Sequence, residues 1–550
     1  MTDRQDDVPA ELDSAAGEGA FAPGGEIMGH PTGLFFLFFA ELWERFSFYG
    51  MRALLTLYLA TELFKDVADG KTIAYEIYAA YGSLVYFTPA LGGMIADRVI
   101  GHKNSIMLGA LLMTIGHFTM AFESESIFYL SLGLLIIGNG FFKPNISSLV
   151  GGLYREGDTR RDGGFTIFYL GINLGAFMAP LACGYLGENY GWHYGFSAAG
   201  IGMFIGLLVF WYGRVKGIYG EQGEQPLAYA SKNLGGINVR YLVYALSFLS
   251  VPLFAMLVSK SELTVFGSTG LLQFLLISLL ILVLVYLTYV CVVSDKITRD
   301  RLIVVVVLTF FVTVFWAFFE QAGSSLTLFA EEQVRLVGLN ASQTNAINPF
   351  YIVALAIPFS MMWNKLESKK MNPNTMIKFG LGIGQLGVGF LVFALSARFM
   401  DDEGKVGMIF LLVGYLLITS GELFLSPIGL SKVTELSPAK LVAFMMGVWF
   451  LSSSFAHYIA GLIAKLTTGG GHGEGEASEA VAEVVAEPSV MASLARWITG
   501  ASADEAATAS AANLLNYTSV FAQIAIISFV VAAIALLISP IIKRMMHGIR

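Results

Sequence analysis

The stretch Glu41-Leu42-Trp43-Glu44-Arg45-Phe46-Ser47-Phe48-Tyr49-Gly50, with Arg52 just beyond it, decides how this chain is read. It sets four ionisable side chains inside an otherwise apolar run of roughly residues 32–60. At about 100° per residue, Glu41, Glu44, Arg45 and Arg52 fall within about one third of a helix circumference, with Tyr49 at the edge. A charge near a bilayer centre costs on the order of 2.5–3.5 kcal/mol on insertion scales. A purely structural ion-pair ladder has cheaper apolar solutions, so the stripe points to a surface that moves or holds something charged. Two further interruptions of apolar sequence, Lys143-Pro144-Asn145 and Gly421-Glu422-Leu423, repeat the pattern.

The composition agrees with a bilayer as solvent. Of 550 residues only 13% are charged and 55% are hydrophobic, where a soluble chain carries about 25% charged residues. Mean hydropathy is +0.67, and 60 Gly suit close helix contacts. Runs of about twenty apolar residues can span a membrane. They occur at roughly 32–60, 74–96, 104–122, 127–150, 164–186, 193–213, 240–259, 269–293, 302–330, 344–364, 375–398, 407–430, 439–465 and 514–542. These predict an all-α protein of fourteen spans. Lys and Arg concentrate in alternate loops, for example Arg98, Lys103, Arg160, Arg161, Arg214, Lys369 and Lys370, which places those loops and both termini inside.

The first thirty or so residues have no apolar signal core and read as a disordered cytoplasmic tail over 1–31. Residues 543–550 form a second cytoplasmic tail. The outside loop over 466–513 reads as a low-complexity spacer with a short amphipathic piece around Met491, Leu494, Trp497 and Ile498. The net charge of −8 comes largely from the first tail and this loop, and nothing basic enough for nucleic acid occurs. Cys183 and Cys291 sit in apolar runs far from any metal-ligand spacing and read as small hydrophobes. The seven His lie mostly at loops or span ends and read as structural. Pro144, Pro180, Pro349, Pro358 and Pro427 fall inside spans, where each permits a bend.

The loop Gly93-Met94-Ile95-Ala96-Asp97-Arg98, with Gly101 and Lys103, resembles the G-x-x-x-D-R-x-x-G-x-K loop of the major facilitator superfamily. The opening stretch is similar to the E-x-x-E-R-F-x-Y-Y-G signature of the proton-dependent oligopeptide transporter family. Four more stretches agree: Gly138–Asn145, Phe168–Gly175, Phe315–Gln321 and Gly421–Ser431. The matches run in family order from about residue 34 to 540.

The resemblance implies a six-plus-six helix bundle, over 32–215 and 301–542, with two additional spans within 216–300. It implies proton coupling by Glu41, Glu44, Arg45, Lys143 and Glu320. Lys143 would pair with the Glu41–Arg45 motif and help read a peptide carboxylate. Arg52 and Glu320 would close an outer gate, Lys143 and Glu422 would take part in gating, and Pro144 and Pro427 would bend. Asn173, Asn348 and Glu422 would hold a peptide amino terminus, with Tyr49, Tyr86, Trp316, Trp449 and Ser426 lining the pocket. Two departures stand out: Phe48 replaces a usual Tyr, and Ala79 stands where animal members carry a His.

Residue chemistry points the same way. A di- or tripeptide is a zwitterion, and reading it irrespective of sequence needs cations at one end and a carboxylate at the other. Arg45, Arg52 and Lys143 in the first half, opposite Glu320 and Glu422 in the second, supply that dipole. The expected function is proton-coupled import of di- and tripeptides across a bacterial cytoplasmic (inner) membrane by alternating access. The proton gradient would drive it, with no cofactor and no metal. Another substrate of the same family (nitrate or a secondary metabolite) and a non-transporting peptide sensor are the alternatives. An enzyme is the most distant reading, since no nucleophile–base pair or nucleotide loop appears.

Overall fold

The computed structural model describes residues 24–155, 158–230, 232–267, 269–438, 441–468, 490–500 and 509–549; the side chains of residues 230, 426–428, 430 and 443 lie outside the description. Each of the fourteen expected stretches is helical. The first half comprises α1 (Thr32–Tyr58), α2 (Gly70–Ile95), α3 (His102–Thr119), α4 (Glu125–Gly152), α5 (Arg161–Ala179) and α6 (Trp192–Val215). A broken span of α7 (Val239–Leu249) and α8 (Val251–Ser259) follows, then α9 (Leu271–Val293). The remainder comprises α10 (Lys296–Phe319), α11 (Ser325–Gln333), α12 (Ile347–Ser368), α13 (Thr375–Leu395), α14 (Ile409–Leu436), α15 (Val442–Lys465), α16 (Val490–Thr499) and α17 (Ala509–Met545). Among the described residues, ten helices are long and apolar enough to cross a membrane. The helices α1, α2, α3 and α14 fall outside that group, and α1 carries the four-charge stripe.

The apolar core forms two large bodies. One joins α1–α6 and takes in Leu272 and Leu276 of α9. The other joins α10–α17 and takes in Leu287 and Val290, further along α9. That helix therefore runs from one body to the other. The helices approach closely where glycines line the contact. A Cβ on Gly92 of α2 would lie 2.0 Å from the Gly140 carbonyl oxygen of α4. A Gly92→Ala protein is expected to lose about 1–3 kcal/mol of stability by overpacking, read as a lower thermal transition in detergent. An unchanged transition would show that this seam gives way freely.

A second seam crosses between the bodies. On α2, Gly82 faces His457 of α15, and Ala79 faces Gly461, where an added Cβ would come within 2.2 Å of its neighbour in both cases. Ser454 Oγ donates to the Ser83 carbonyl at 2.7 Å, and Lys465 pairs with Glu76 at 2.6 Å. Further ties cluster where α1 ends and α2 begins. Thr56 Oγ1 donates to the Gly323 carbonyl at 2.7 Å, and Lys71 pairs with Glu332 at 2.7 Å. Nearby, the Ser342 amide donates to Glu188 at 2.9 Å and Gln343 Nε2 to the Leu181 carbonyl at 3.0 Å.

Several sequence expectations need correcting. Pro349 lies in the first turn of α12 and so removes no helical hydrogen bond. Pro180 opens a wide turn, Pro180–Gly184, at the end of α5. Pro144 and Pro358 do lie within helices, as does Pro89, which was not singled out. The amphipathic piece is the helix α16, which buries Ala495 and Ile498 and leaves Trp497 exposed. Cys291 is only half-buried. Residues 1–23 and most of the 466–513 loop lie outside the described residues.

Candidate functional site

The stripe on α1 is buried along its whole length, with Glu41, Glu44, Arg45 and Arg52 each at most 9% exposed. Burial on this scale is tolerable only if the charges meet partners. Arg45 supplies most of them. Its Nη2 donates to Glu44 Oε1 at 2.7 Å, its Nε also reaches Glu44, and Nε lies 3.2 Å from Glu41 Oε1. Asn139 of α4 adds a longer bond to Glu44 at 3.4 Å, while Glu41 Oε2 has no hydrogen-bond partner among the described residues. Phe48, the departure from the family signature, lies under the Arg45 guanidinium with its ring centroid 5.3 Å away.

Arg52 is two turns further along and pairs across the two bodies. Its Nη2 meets Glu320 Oε2 and its Nε donates to the Tyr78 hydroxyl at 2.7 Å. Glu320 occupies the point where α10 gives way to a tight turn, Glu320–Gly323, so its carboxylate projects from a helix end. A residue that sequence reading passed over completes this cluster. His457 of α15 is 4% exposed, with Nε2 3.4 Å from Glu320 Oε2 and its ring stacked on Tyr86 at 4.7 Å.

Lys143 of α4 behaves differently from the family expectation. It makes no ion pair among the described residues. Its Nζ instead sits 4.2 Å from the centroid of the Tyr86 ring, a cation–π contact that stabilises a desolvated ammonium without using up a carboxylate. Nor do Glu422 and Lys143 meet. Glu422 of α14, 7% exposed, accepts from Asn348 Nδ2 at 3.0 Å, and the same Asn348 nitrogen reaches Thr419 Oγ1 at 2.9 Å.

A partly enclosed cavity between the bodies gathers Tyr49, Arg52, Tyr86, Asn173, Trp316, Glu320, Asn348 and Glu422 among its walls. Tyr415 joins them with a buried hydroxyl that has no hydrogen-bond partner among the described residues; it too went unnoticed in the sequence. Arg45 and Lys143 are not among the lining residues. Trp449 is buried elsewhere, its ring against Gly429, where an added Cβ would come within 2.3 Å. Ser426 and Pro427 lie on α14 but outside the described side chains. At the loop after α2, Asp97 approaches His102 at 3.4 Å, and Lys103 pairs with Glu224 at 2.8 Å.

A profile of the POT family matches residues 103–476. The chain belongs to the POT family. An uncharacterized transporter, YclF, of Bacillus subtilis (strain 168) is 36% identical over 531 residues, covering 95% of this chain and 96% of that one. A di-/tripeptide transporter of Lactococcus lactis subsp. cremoris is 35% identical over 458 residues, covering 80% and 90% respectively. Among solved structures, the peptide transporter POT in complex with sulfate superimposes with a TM-score of 0.75 at 33% identity, covering 96% of this chain and 99% of that one. For a POT family chain the fold is thus the expected multi-pass transporter architecture.

Proposed function

We propose that this POT family member is a proton-coupled symporter that imports di- and tripeptides across a bacterial cytoplasmic membrane by alternating access. The observation that carries the reading is an uncommitted pair of opposite charges on the two bodies. Glu422 on α14 has only neutral hydrogen-bond partners, Arg45 is taken by Glu41 and Glu44, and Arg52 is taken by Glu320. Lys143 on α4 makes no ion pair among the described residues and rests against an aromatic ring. A zwitterion lying between them would give its ammonium to Glu422 and its carboxylate to Lys143. The Lactococcus relative's description as a di-/tripeptide transporter supports the same substrate class.

In this reading the chain crosses the membrane fourteen times with both termini in the cytoplasm. The two six-helix halves are 32–215 and 301–542, and 216–300 supplies two further spans. The end held by Arg52–Glu320, Thr56–Gly323 and Lys71–Glu332 is the outer one, so the conformation is closed to the outside. Protons drive the cycle and no cofactor takes part.

Proteoliposomes under an imposed pH gradient test this directly, with dipeptide, tripeptide, tetrapeptide and nitrate as competitors. Competition by di- and tripeptides alone is expected. Competition by nitrate, or binding without accumulation, would overturn the assignment. Glu422→Gln is expected to weaken free-amino dipeptides about tenfold or more, the loss of a charge-assisted bond worth roughly 1.5–3 kcal/mol, and N-acetylated dipeptides far less. Equal losses for both ligands would show that Glu422 braces α14 against α12 instead.

A further inference from the structure

His457 lies in the middle of α15 with its ring seated against Gly82, where a side chain on α2 would collide with it. Its Nδ1 is 2.9 Å from the Ser453 carbonyl oxygen. A carbonyl can only accept, so Nδ1 carries the hydrogen. In a neutral ring, Nε2 then presents a lone pair, and it does so 3.4 Å from Glu320 Oε2. Arg52 Nη2 is bonded to that same oxygen. While Arg52 holds Glu320, the lone pair does little harm. Once Arg52 leaves, a buried carboxylate faces a lone pair, an arrangement that a single proton on Nε2 converts into an ion pair.

We propose that His457 is a positioning residue of the outer gate: it takes over Glu320 when Arg52 releases it, holding a proton drawn from the outer side. This rests on the proton-coupled reading above. The proton comes from water admitted by the open gate and returns when Arg52 re-engages, so nothing else is consumed. The groups facing His457 are few. Glu320 comes from the end of α10, Arg52 from α1, Tyr86 from α2 and Lys143 from α4. Glu320 is the only acid among these, and with the Ser453 carbonyl on Nδ1 it favours a charged imidazole.

Tyr86 extends the consequence to the binding site. Its ring already carries the Lys143 ammonium at 4.2 Å and stacks on His457 at 4.7 Å. A charged His457 competes with Lys143 for the same π electrons. Proton uptake at the gate therefore loosens Lys143 and frees it for a peptide carboxylate. Gate and substrate cation are linked through one aromatic ring.

The test is the pH profile of dipeptide uptake into proteoliposomes, the interior held at about pH 7.5 and the exterior varied from about 5.5 to 7.5, the range over which His titrates. Wild type is expected to speed up as the exterior is acidified. His457→Gln keeps a polar group there, and His457→Phe keeps the ring stacked on Tyr86. In both, acid stimulation is expected to collapse to less than about twofold, because neither side chain takes a proton. A folded variant that keeps the wild-type profile overturns the proposal. So does a variant whose uptake falls by the same factor at every pH, since that marks a packing role. If wild type itself fails to accumulate peptide under the gradient, the transport reading fails, and that outcome is distinct from either of these.

Discussion

Replacing Lys143 by Ala is expected to abolish peptide accumulation against a gradient, with a fall of about a hundredfold or more in driven uptake at normal expression. Arg45 and Arg52 already face carboxylates, whereas Lys143 makes no ion pair among the described residues and rests on Tyr86. Removing it takes away the cation left to meet a substrate carboxylate, and no neighbour is free to replace it. It also deepens an existing imbalance, because Arg45 must serve both Glu41 and Glu44. Losing a nearby cation leaves the acids of α1 less compensated, so the variant's folding should be checked by its thermal transition. Lys143→Arg keeps the charge on a planar head that cannot sit on Tyr86 in the same way. It is expected to recover exchange but only part of the accumulation. Undiminished accumulation by Lys143→Ala would exclude the role.

The second large effect concerns Glu41. With the gate closed, Arg52 neutralises Glu320, and the Glu41–Glu44–Arg45 group retains one negative charge more than it can balance locally. A proton is the simplest remedy, and Glu41 has the oxygen to receive it, for Oε2 lacks a hydrogen-bond partner among the described residues. Glu44 is fully committed to Arg45 and Asn139. Glu41→Gln is expected to end proton-driven accumulation while peptide counterflow, which needs no net proton movement, continues. Glu44→Gln should harm both, since it strips Arg45 of its main partner inside the bundle. Accumulation by Glu41→Gln at wild-type level would move the coupling proton off α1 altogether. Two proton sites are compatible: both can take a proton while the gate is open, His457 giving its own up as Arg52 re-engages and Glu41 keeping its own behind the closed gate.

Much of this was legible in the sequence, because a bilayer demands long apolar helices and makes every buried charge conspicuous. The stripe on α1, Lys143 and Glu422 stood out for that reason, and Glu320 as the partner of Arg52 followed from the family resemblance. Other features left no such mark. His457 sits alone in an apolar helix, and its meaning comes from Glu320, more than a hundred residues away in sequence. Tyr415 and Tyr78 look like ordinary core aromatics until a buried hydroxyl has to be accounted for. Lys143 was expected on a carboxylate; the structure gives it a ring, an alternative that charge counting does not consider. Trp449 was expected at the pocket, but Gly429 offers it a closer seat.

The glycine-lined seam of α2 against α15 also has a mechanical meaning. Gly82 lies near the middle of a 26-residue helix, so each arm extends about 20 Å at 1.5 Å per residue. Two bodies rocking on that fulcrum by only 10° would swing their ends apart by about 3.5 Å on this geometry. That is enough to part Lys71 from Glu332 at the start of α2, without any helix unfolding or sliding. Selection for transport would then bear on the smallness of a few side chains at the fulcrum as firmly as on the charges at the site. A bulky residue at position 461, facing only Ala79 and the α2 backbone, would leave the chemistry intact and the machine unable to turn.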